Sequence, residues 1–467
     1  MKFIDRKKEL SRLNHLIDKD DSGMAVVIGR RRLGKTRLLL EWAHPHKPIY
    51  YMADESSPTL QRKYFALALQ EVLPNFASVE YNDWHSLFTR LAIDASYIGW
   101  KGPLIIDELP YLISTSPEIA SILQRFIDHD AKKSKMVIAL SGSSQRMMQG
   151  AILDASAPLF GRAKEIIKLG PIPIGYMQEA LDIQNSRDIV EAYSVWGGVP
   201  RYWELAANQK ASLLEQVNHL VLDPLGALND EPNHLLLEES ASSLRPILDA
   251  IGLGAHRLSE IATKVGQQAT SLNRSIQRLI ELDLIEREIP FGAEEYNSKR
   301  TLYKISDPFM RFWFELVASQ RSFLTKANDS QRIKYLHDSI QRIFSLCWED
   351  LCRLAAPILS QQFEHELIFG TANRYWHKSN PEWDILSESM DKKALFIGEA
   401  KWVINPPNTN WIYKTIEELK AKGLSALGKG TYHQTFYGLF VPEKPHSLSL
   451  SSNVKVFDAS DVINALK

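Results

Sequence analysis

Met24-Ala25-Val26-Val27-Ile28-Gly29-Arg30-Arg31-Arg32-Leu33-Gly34-Lys35-Thr36 runs from an apolar strand through a basic loop framed by glycines into a helical segment, 36–42. Gly29 to Thr36 has the spacing of a phosphate-binding loop. Each residue type answers a need of that chemistry. Gly29 and Gly34 let backbone amides turn inward around phosphates, and the positive end of the following helix adds to their field. Lys35 reaches the outer phosphates, and the Thr36 hydroxyl serves a bound Mg²⁺. The strand–loop–helix setting favours this over a chance glycine turn, so ATP and Mg²⁺ are the expected ligands.

On either side of the loop, short apolar runs alternate with amphipathic segments. Residues 24–29, 48–53, 104–107, 136–141 and 165–169 read as buried strands, with helices such as 60–72 between them. That alternation predicts a parallel sheet covered on both faces. Asp107 and Glu108 close the third apolar run, Leu104-Ile105-Ile106. Asp107 is expected to orient the water shell of Mg²⁺, and Glu108 to polarise the water that attacks the terminal phosphate. Read alone they are two solvated acids at a strand end, and the loop upstream gives them their role. Pro171 and Pro173 break the pattern, and a helical region reaches about Pro232.

At 467 residues the chain exceeds one ordinary core. The expected domains are a loop-bearing core over 1–170, a helical lid over 171–240, a third domain over 241–325 and a separate α/β domain over 335–467. The hydrophobic content of 45% and charged content of 24% suit a soluble globular protein. A net charge of −1 gives no global attraction to a polyanion, so any nucleic-acid contact rests on local basic patches. The start, Met1-Lys2-Phe3-Ile4-Asp5-Arg6, turns charged too early for a signal peptide, and no apolar run approaches a membrane span. The expected location is cytoplasmic, with no membrane partner. Cys347 and Cys352, on one expected helix, read as buried thiols rather than a disulfide or metal site.

Residues 244–251, 257–265 and 270–282 read as three helices, and 284–289 and 301–305 as a β-hairpin, the winged-helix pattern. In the third helix Leu272, Ile276, Leu279 and Ile280 form the buried face, while Asn273, Arg274, Gln277, Arg278 and Glu281 face outward. Asn, Arg and Gln suit base edges and phosphates in a major groove. Acids such as Glu286, Glu288 and Glu295 nevertheless offset Arg287, Lys299 and Arg300 nearby, which weakens phosphate attraction. DNA contact and a purely structural role both stay open. An aromatic helix over 309–314 and a polar linker over 326–332 are expected next.

In the last third, residues 394–398 alternate along a strand that carries Glu399 and Lys401 two positions apart, and so on one face. Asp384 lies on the preceding strand, with 387–393 as the turn, so the hairpin can bring Asp384 beside Glu399. Two carboxylates sharing a divalent cation, with Lys401 orienting water or offsetting charge on the phosphate, is the pattern of metal-dependent phosphodiester hydrolysis. Three alternatives remain: a hairpin with surface charges, an intact fold that has lost its activity, or one turned to another use. Trp383 and Trp402 flank the acids as core residues or as base-stacking platforms.

Phe3-Ile4-Asp5-Arg6-Lys7-Lys8-Glu9-Leu10, Leu140-Ser141-Gly142-Ser143-Ser144, Leu159-Phe160-Gly161-Arg162 and Gly197-Gly198-Val199-Pro200-Arg201 resemble motifs of archaeal and bacterial AAA+ ATPases of the initiator and STAND types, over about residues 1–320. The resemblance implies a sensor serine among residues 141–144. It also implies an arginine finger at Arg162, and a lid arginine at Arg201 that reads the γ-phosphate. A finger acting on a neighbouring subunit implies a homo-oligomer.

Arg374-Tyr375-Trp376, Pro381-Glu382-Trp383-Asp384 and Gly398-Glu399-Ala400-Lys401-Trp402 resemble the uncharacterised domain that follows such ATPases, itself similar to the PD-(D/E)XK, restriction-endonuclease-like fold. The proline stands three residues before the acid rather than directly before it. From this resemblance Glu349, on an expected helix over 337–354, gains the role of a further metal ligand. The combined expectation is an α/β multidomain ATPase coupled to a Mg²⁺-dependent DNA nuclease. The alternatives are a STAND-like switch whose last domain only binds a partner, and a transcription regulator acting through the winged helix.

Overall fold

The computed structural model describes residues 2–19, 21–294, 300–364, 366–377, 381–423 and 432–467. Glu295 and Lys299, weighed in the charge balance above, lie outside them. The chain divides into two compact units, residues 1–172 with 199–201, and residues 173–198 with 202–467.

The first unit is built on five strands, β1 (Gly23–Ile28), β2 (Ile49–Met52), β3 (Leu104–Asp107), β4 (Val137–Gly142) and β5 (Glu165–Lys168). They form one parallel sheet in the order β2-β3-β4-β1-β5. Every residue of β1, β3 and β4 is buried, as a sheet with helices on both faces requires. β5 departs from the expected buried strand. It pairs only with β1 at the sheet edge, and Ile166 is 45% exposed. One face of the sheet packs on Phe65, Trp84, Phe88 and Phe126 from the crossover helices.

β1, β3 and β4 all end on the same side because the sheet is parallel. Their tips bring the loop after β1, the acids after β3 and the serines of β4 together.

In the second unit, helices Ser186–Trp196, Leu213–Val217 and Glu231–Glu238 precede three further helices, Arg245–Gly252, Leu258–Val265 and Asn273–Glu281. An antiparallel pair, β6 (Ile285–Glu288) and β7 (Leu302–Ile305), follows them. Ile276 and Leu279 are buried as expected. Asn273, Arg274 and Gln277 are exposed, whereas Arg278 lies 3.9 Å from Glu239 and 3.8 Å from Glu281 and is half-buried rather than free on the surface.

The segment expected as a linker is instead helical. Asn328 caps helix Asp329–Ser339 through a box with Gln331, and the buried Arg332 donates to the Leu324 carbonyl at 2.9 Å. The lid, the three-helix part and the last domain are therefore not separate cores. Helix Ser186–Trp196 packs against helices Pro308–Phe312, Gln341–Leu359 and Ala459–Ala465.

A second five-stranded sheet contains β8 (Asn373–Tyr375), β9 (Trp383–Glu388), β10 (Ala394–Ala400), β11 (Gln434–Phe440) and β12 (Val454–Phe457). It is mixed: antiparallel from β8 to β10 and parallel from β10 to β12. Helix Gln341–Leu359 lies against β9 and β10. Cys347 and Cys352 are free and buried in that helix, and burial pushes the Cys347 thiol up to about 11. Trp383 is a core residue beside Tyr375. Trp402 packs on Phe344 and Trp348, with the Arg187 guanidinium 5.0 Å from its ring. Among the described residues no helix is long and apolar enough to cross a membrane.

Candidate functional site

The loop after β1 needs both of its framing glycines. Gly29 has φ 156°, and a Cβ there would stand 2.6 Å from the Leu169 carbonyl oxygen. Gly34 has φ 88°, left-handed backbone that opens helix Lys35–Ala43. The buried Lys35 ammonium donates to the Gly29 carbonyl at 2.8 Å and to the Arg30 carbonyl at 3.3 Å, lying along the loop where phosphates would sit. Arg6, from the N-terminal motif, is buried and braces the same loop. It donates to the Gly170 carbonyl at 2.6 Å and the Leu33 carbonyl at 3.5 Å. Burial pulls its pKa down, against the opposing charges of Glu9 and Asp5.

Asp107 is fully buried and is the hub of the strand tips. Thr36 Oγ1 donates to its Oδ2 at 2.6 Å, and the Tyr50 hydroxyl at 2.9 Å. Ser141 Oγ donates to Oδ1, which also accepts the Glu108 amide at 3.0 Å. The Mg²⁺ pair expected from sequence, Thr36 and Asp107, is thus in direct contact. Glu108 has left-handed backbone, φ 53°. Ser143 holds its carboxylate, with Oγ 2.8 Å from both oxygens and the Ser143 amide at 3.1 Å. Both serines of β4 and the turn beyond it are therefore engaged, one on each acid.

Pro200 Cγ lies 4.0 Å from where a Gly34 Cβ would stand, so Arg201 follows a residue that borders the loop. Arg162 is engaged inside its own unit. It reaches Asp128 at 2.8 Å and donates to the Pro158 and Phe160 carbonyls at 2.9 and 3.1 Å.

The second group of expected residues meets in the other unit. Asp384 Oδ2 accepts the Ala400 amide at 3.1 Å across the β9–β10 pair. Burial raises its pKa, and the neighbouring Glu399 charge raises it further. Glu349, on helix Gln341–Leu359, is pushed up to about 7 by burial and then by the Asp384 charge. Glu399 is buried and grips Lys401 at 2.6 Å with one oxygen and Lys422 at 2.6 Å with the other. For Lys401, burial opposes the charged form, but its bond to Glu399 prevails and the pKa rises.

This differs from three acids closing on one ion. Glu349 feels the Asp384 charge, while Glu399 is neutralised by two lysines. Among the described residues no group of three or more His, Cys, Asp or Glu side chains is set to hold a metal ion.

Lys422 and Arg353 escaped the sequence reading. Lys422 follows helix Thr409–Ala421 and has no fixed spacing from the acids. Arg353 could have been found, because it stands one helical turn from Glu349 and donates to the Asp384 carbonyl at 3.2 Å.

The parallel sheet and its loaded strand tips define an ATPase domain of the phosphate-loop class. Residues 3–205 match the family model of an ATPase domain predominantly from archaea, and residues 313–410 match a model of archaeal and bacterial proteins of unknown function. The uncharacterized protein MJECL04 of Methanocaldococcus jannaschii is 29% identical over 414 residues, which cover 86% of this chain and 87% of that protein. The Walker-type ATPase paby2304 of Pyrococcus abyssi shares the fold at a TM-score of 0.53 with 18% identity, covering 67% of this chain and 96% of that one. The ORC2 protein of Aeropyrum pernix aligns at a TM-score of 0.44 with 12% identity, over 73% of this chain and 95% of its own.

Proposed function

We propose that this ATPase couples its nucleotide state to Mg²⁺-dependent hydrolysis of phosphodiester bonds in DNA. The observation that carries the reading is the convergence of Asp384, Glu349 and the Glu399–Lys401 pair beside one sheet. The mixed sheet, antiparallel and then parallel with a helix behind it, supports a PD-(D/E)XK-like core. The exposed Asn273, Arg274 and Gln277 support DNA contact by a winged helix.

In the ATPase domain, Lys35 binds the outer phosphates, Thr36 and Asp107 hold the Mg²⁺ shell, and Glu108 polarises the attacking water. The contact of the neighbouring Pro200 with the loop supports a role for Arg201 in reading the γ-phosphate. Arg162 would serve a neighbouring subunit in a homo-oligomer only after leaving Asp128.

In the acidic site the residues present fit a divalent cation in part: Glu349 and Asp384 would hold it, and each Glu399 oxygen keeps a lone pair beside its lysine. A cation held by them would supply Lewis-acid activation of a water and relief of charge on the scissile phosphate. Lys401, held on Glu399 at 2.6 Å, would orient the attacking water and offset negative charge on the phosphate oxygens.

Metal-dependent cleavage of varied nucleic acids, with and without ATP, tests the reading on wild type and Asp384→Ala. Cleavage by wild type alone supports it. A second reading is favoured by the two lysines on Glu399: an ATP-driven switch whose last domain only binds a partner. ATP turnover with no cutting of any substrate would select it.

A further inference from the structure

The β6–β7 pair and the acidic site are joined by one continuous ionic network, in which helix Gln341–Leu359 is the shared element. Glu349, Asp350 and Arg353 occupy neighbouring positions on its surface. Asp350 faces the β6–β7 pair. It binds Lys304 of β7 at 2.8 Å, and Arg311, which follows β7, at 2.7 Å. Lys304 also meets Glu286 of β6 at 3.0 Å and Glu288 at 3.6 Å.

Arg353 stands between the two sides. Its Nη2 contacts Asp350 at 2.5 Å and Glu288 at 3.8 Å, while its Nη1 contacts the Asp384 carbonyl at 3.2 Å and Glu349 at 4.0 Å. A parallel branch runs from Glu288 to Arg374 at 3.5 Å and on to Glu382 at 3.9 Å, two residues before Asp384. The segment beyond β6 is also fixed to the sheet. The Phe291 amide donates to the Arg374 carbonyl at 2.7 Å, and its ring packs on the core around Tyr375 and Trp383.

We propose that Arg353 is a positioning residue through which the β6–β7 pair governs how well Glu349 and Asp384 hold a divalent cation. This rests on the reading of the acidic site as a cation site. While Glu288 is in place it shares the guanidinium, and the full positive charge does not fall on Glu349. When the pair moves away, Arg353 keeps Asp350 on its own helix but loses Glu288, so more of its charge falls on Glu349 and beside the Asp384 carbonyl, where it competes with the cation. Displacement of the β6–β7 pair therefore weakens cation binding without any contact to the acids themselves.

The test is Mn²⁺ binding to the full, nucleotide-free chain, followed by electron paramagnetic resonance, with Asp384→Ala defining the share of this site. Glu288→Gln is expected to weaken binding roughly 3- to 10-fold in the wild-type background, and to have no effect on Arg353→Gln, the signature of coupling between neighbours. Arg353→Lys serves as a second background if Arg353→Gln does not fold, and there the Glu288→Gln effect is expected to shrink. Normal Mn²⁺ uptake with no effect of Glu288→Gln, or with an equal effect in both backgrounds, overturns the inference alone. A wild type that takes up no Mn²⁺ at Asp384 overturns the cation reading and this inference with it.

Discussion

Ser143 Oγ stands 2.8 Å from both carboxylate oxygens of Glu108, tying the turn after β4 to the acid at the tip of β3. The residue expected to polarise water is thereby held in a fixed pose by the neighbouring strand. Ser143→Ala is expected to lower ATP turnover by about tenfold while leaving ATP affinity unchanged, since a hydrogen bond to a charged group contributes ~1.5–3 kcal/mol. Steady-state turnover together with fluorescent-nucleotide binding checks both halves of this. A parallel loss of affinity would give Ser143 a role in holding the phosphates instead.

Lys35→Ala should abolish nucleotide binding, because it removes the only lysine of the loop. Glu108→Gln should keep binding and lose turnover by roughly 10²- to 10⁴-fold. Normal turnover in Glu108→Gln would show that another group polarises the water.

Arg162 is held by Asp128 in its own unit, at 2.8 Å. Arg162→Ala is expected to lower stability by no more than about 1 kcal/mol, as for a partly exposed ion pair, and to leave turnover per subunit unchanged. Thermal melting and turnover measured over a range of protein concentrations decide the point. A collapse of turnover confined to the concentrations at which subunits associate would assign Arg162 to a neighbour's active site.

The two lysines on Glu399 are expected to differ. Lys401→Ala should remove metal-dependent cleavage altogether and leave ATP turnover intact. Lys422→Ala should lower cleavage by only about 10- to 100-fold, the size of one charged hydrogen bond. Equal losses in the two variants would mean that the pair acts only by neutralising Glu399.

Glu349 gives the acidic site a pH signature. Its folded pKa is raised from 4.5 to about 7, first by burial and then by Asp384, so the folded chain holds this proton more tightly than the unfolded one. The stability it contributes is complete below the ordinary value of 4.5 and is lost as pH rises through about 7. Melting temperature without divalent cation should therefore fall between pH 5 and pH 8 more steeply in wild type than in Glu349→Gln. Parallel curves would mean that Glu349 titrates normally.

The local parts of the protein were legible in the sequence because local rules produce them. The loop from Gly29 to Thr36 needs glycine at positions of positive φ, and a strand as apolar as Met24–Ile28 has no stable place outside a covered sheet. Asp384, Glu399 and Lys401 could be brought together because side chains alternate along strands and one hairpin joins them.

Tertiary packing decided what charge each of these groups meets. Asp128 reaches Arg162 from 34 positions away, and Lys422 reaches Glu399 from 23 positions away, with no local spacing to announce either. The segment 326–332 looked like a linker because it is polar, yet its Arg332 finds a buried carbonyl and Asp329, and the chain continues as helix. Sequence fixes which groups can carry charge and how strands and helices present them. Only the folded chain sets which opposite charges are close enough to satisfy them, because Coulomb attraction depends on separation in space and on burial, and neither is written in the order of residues.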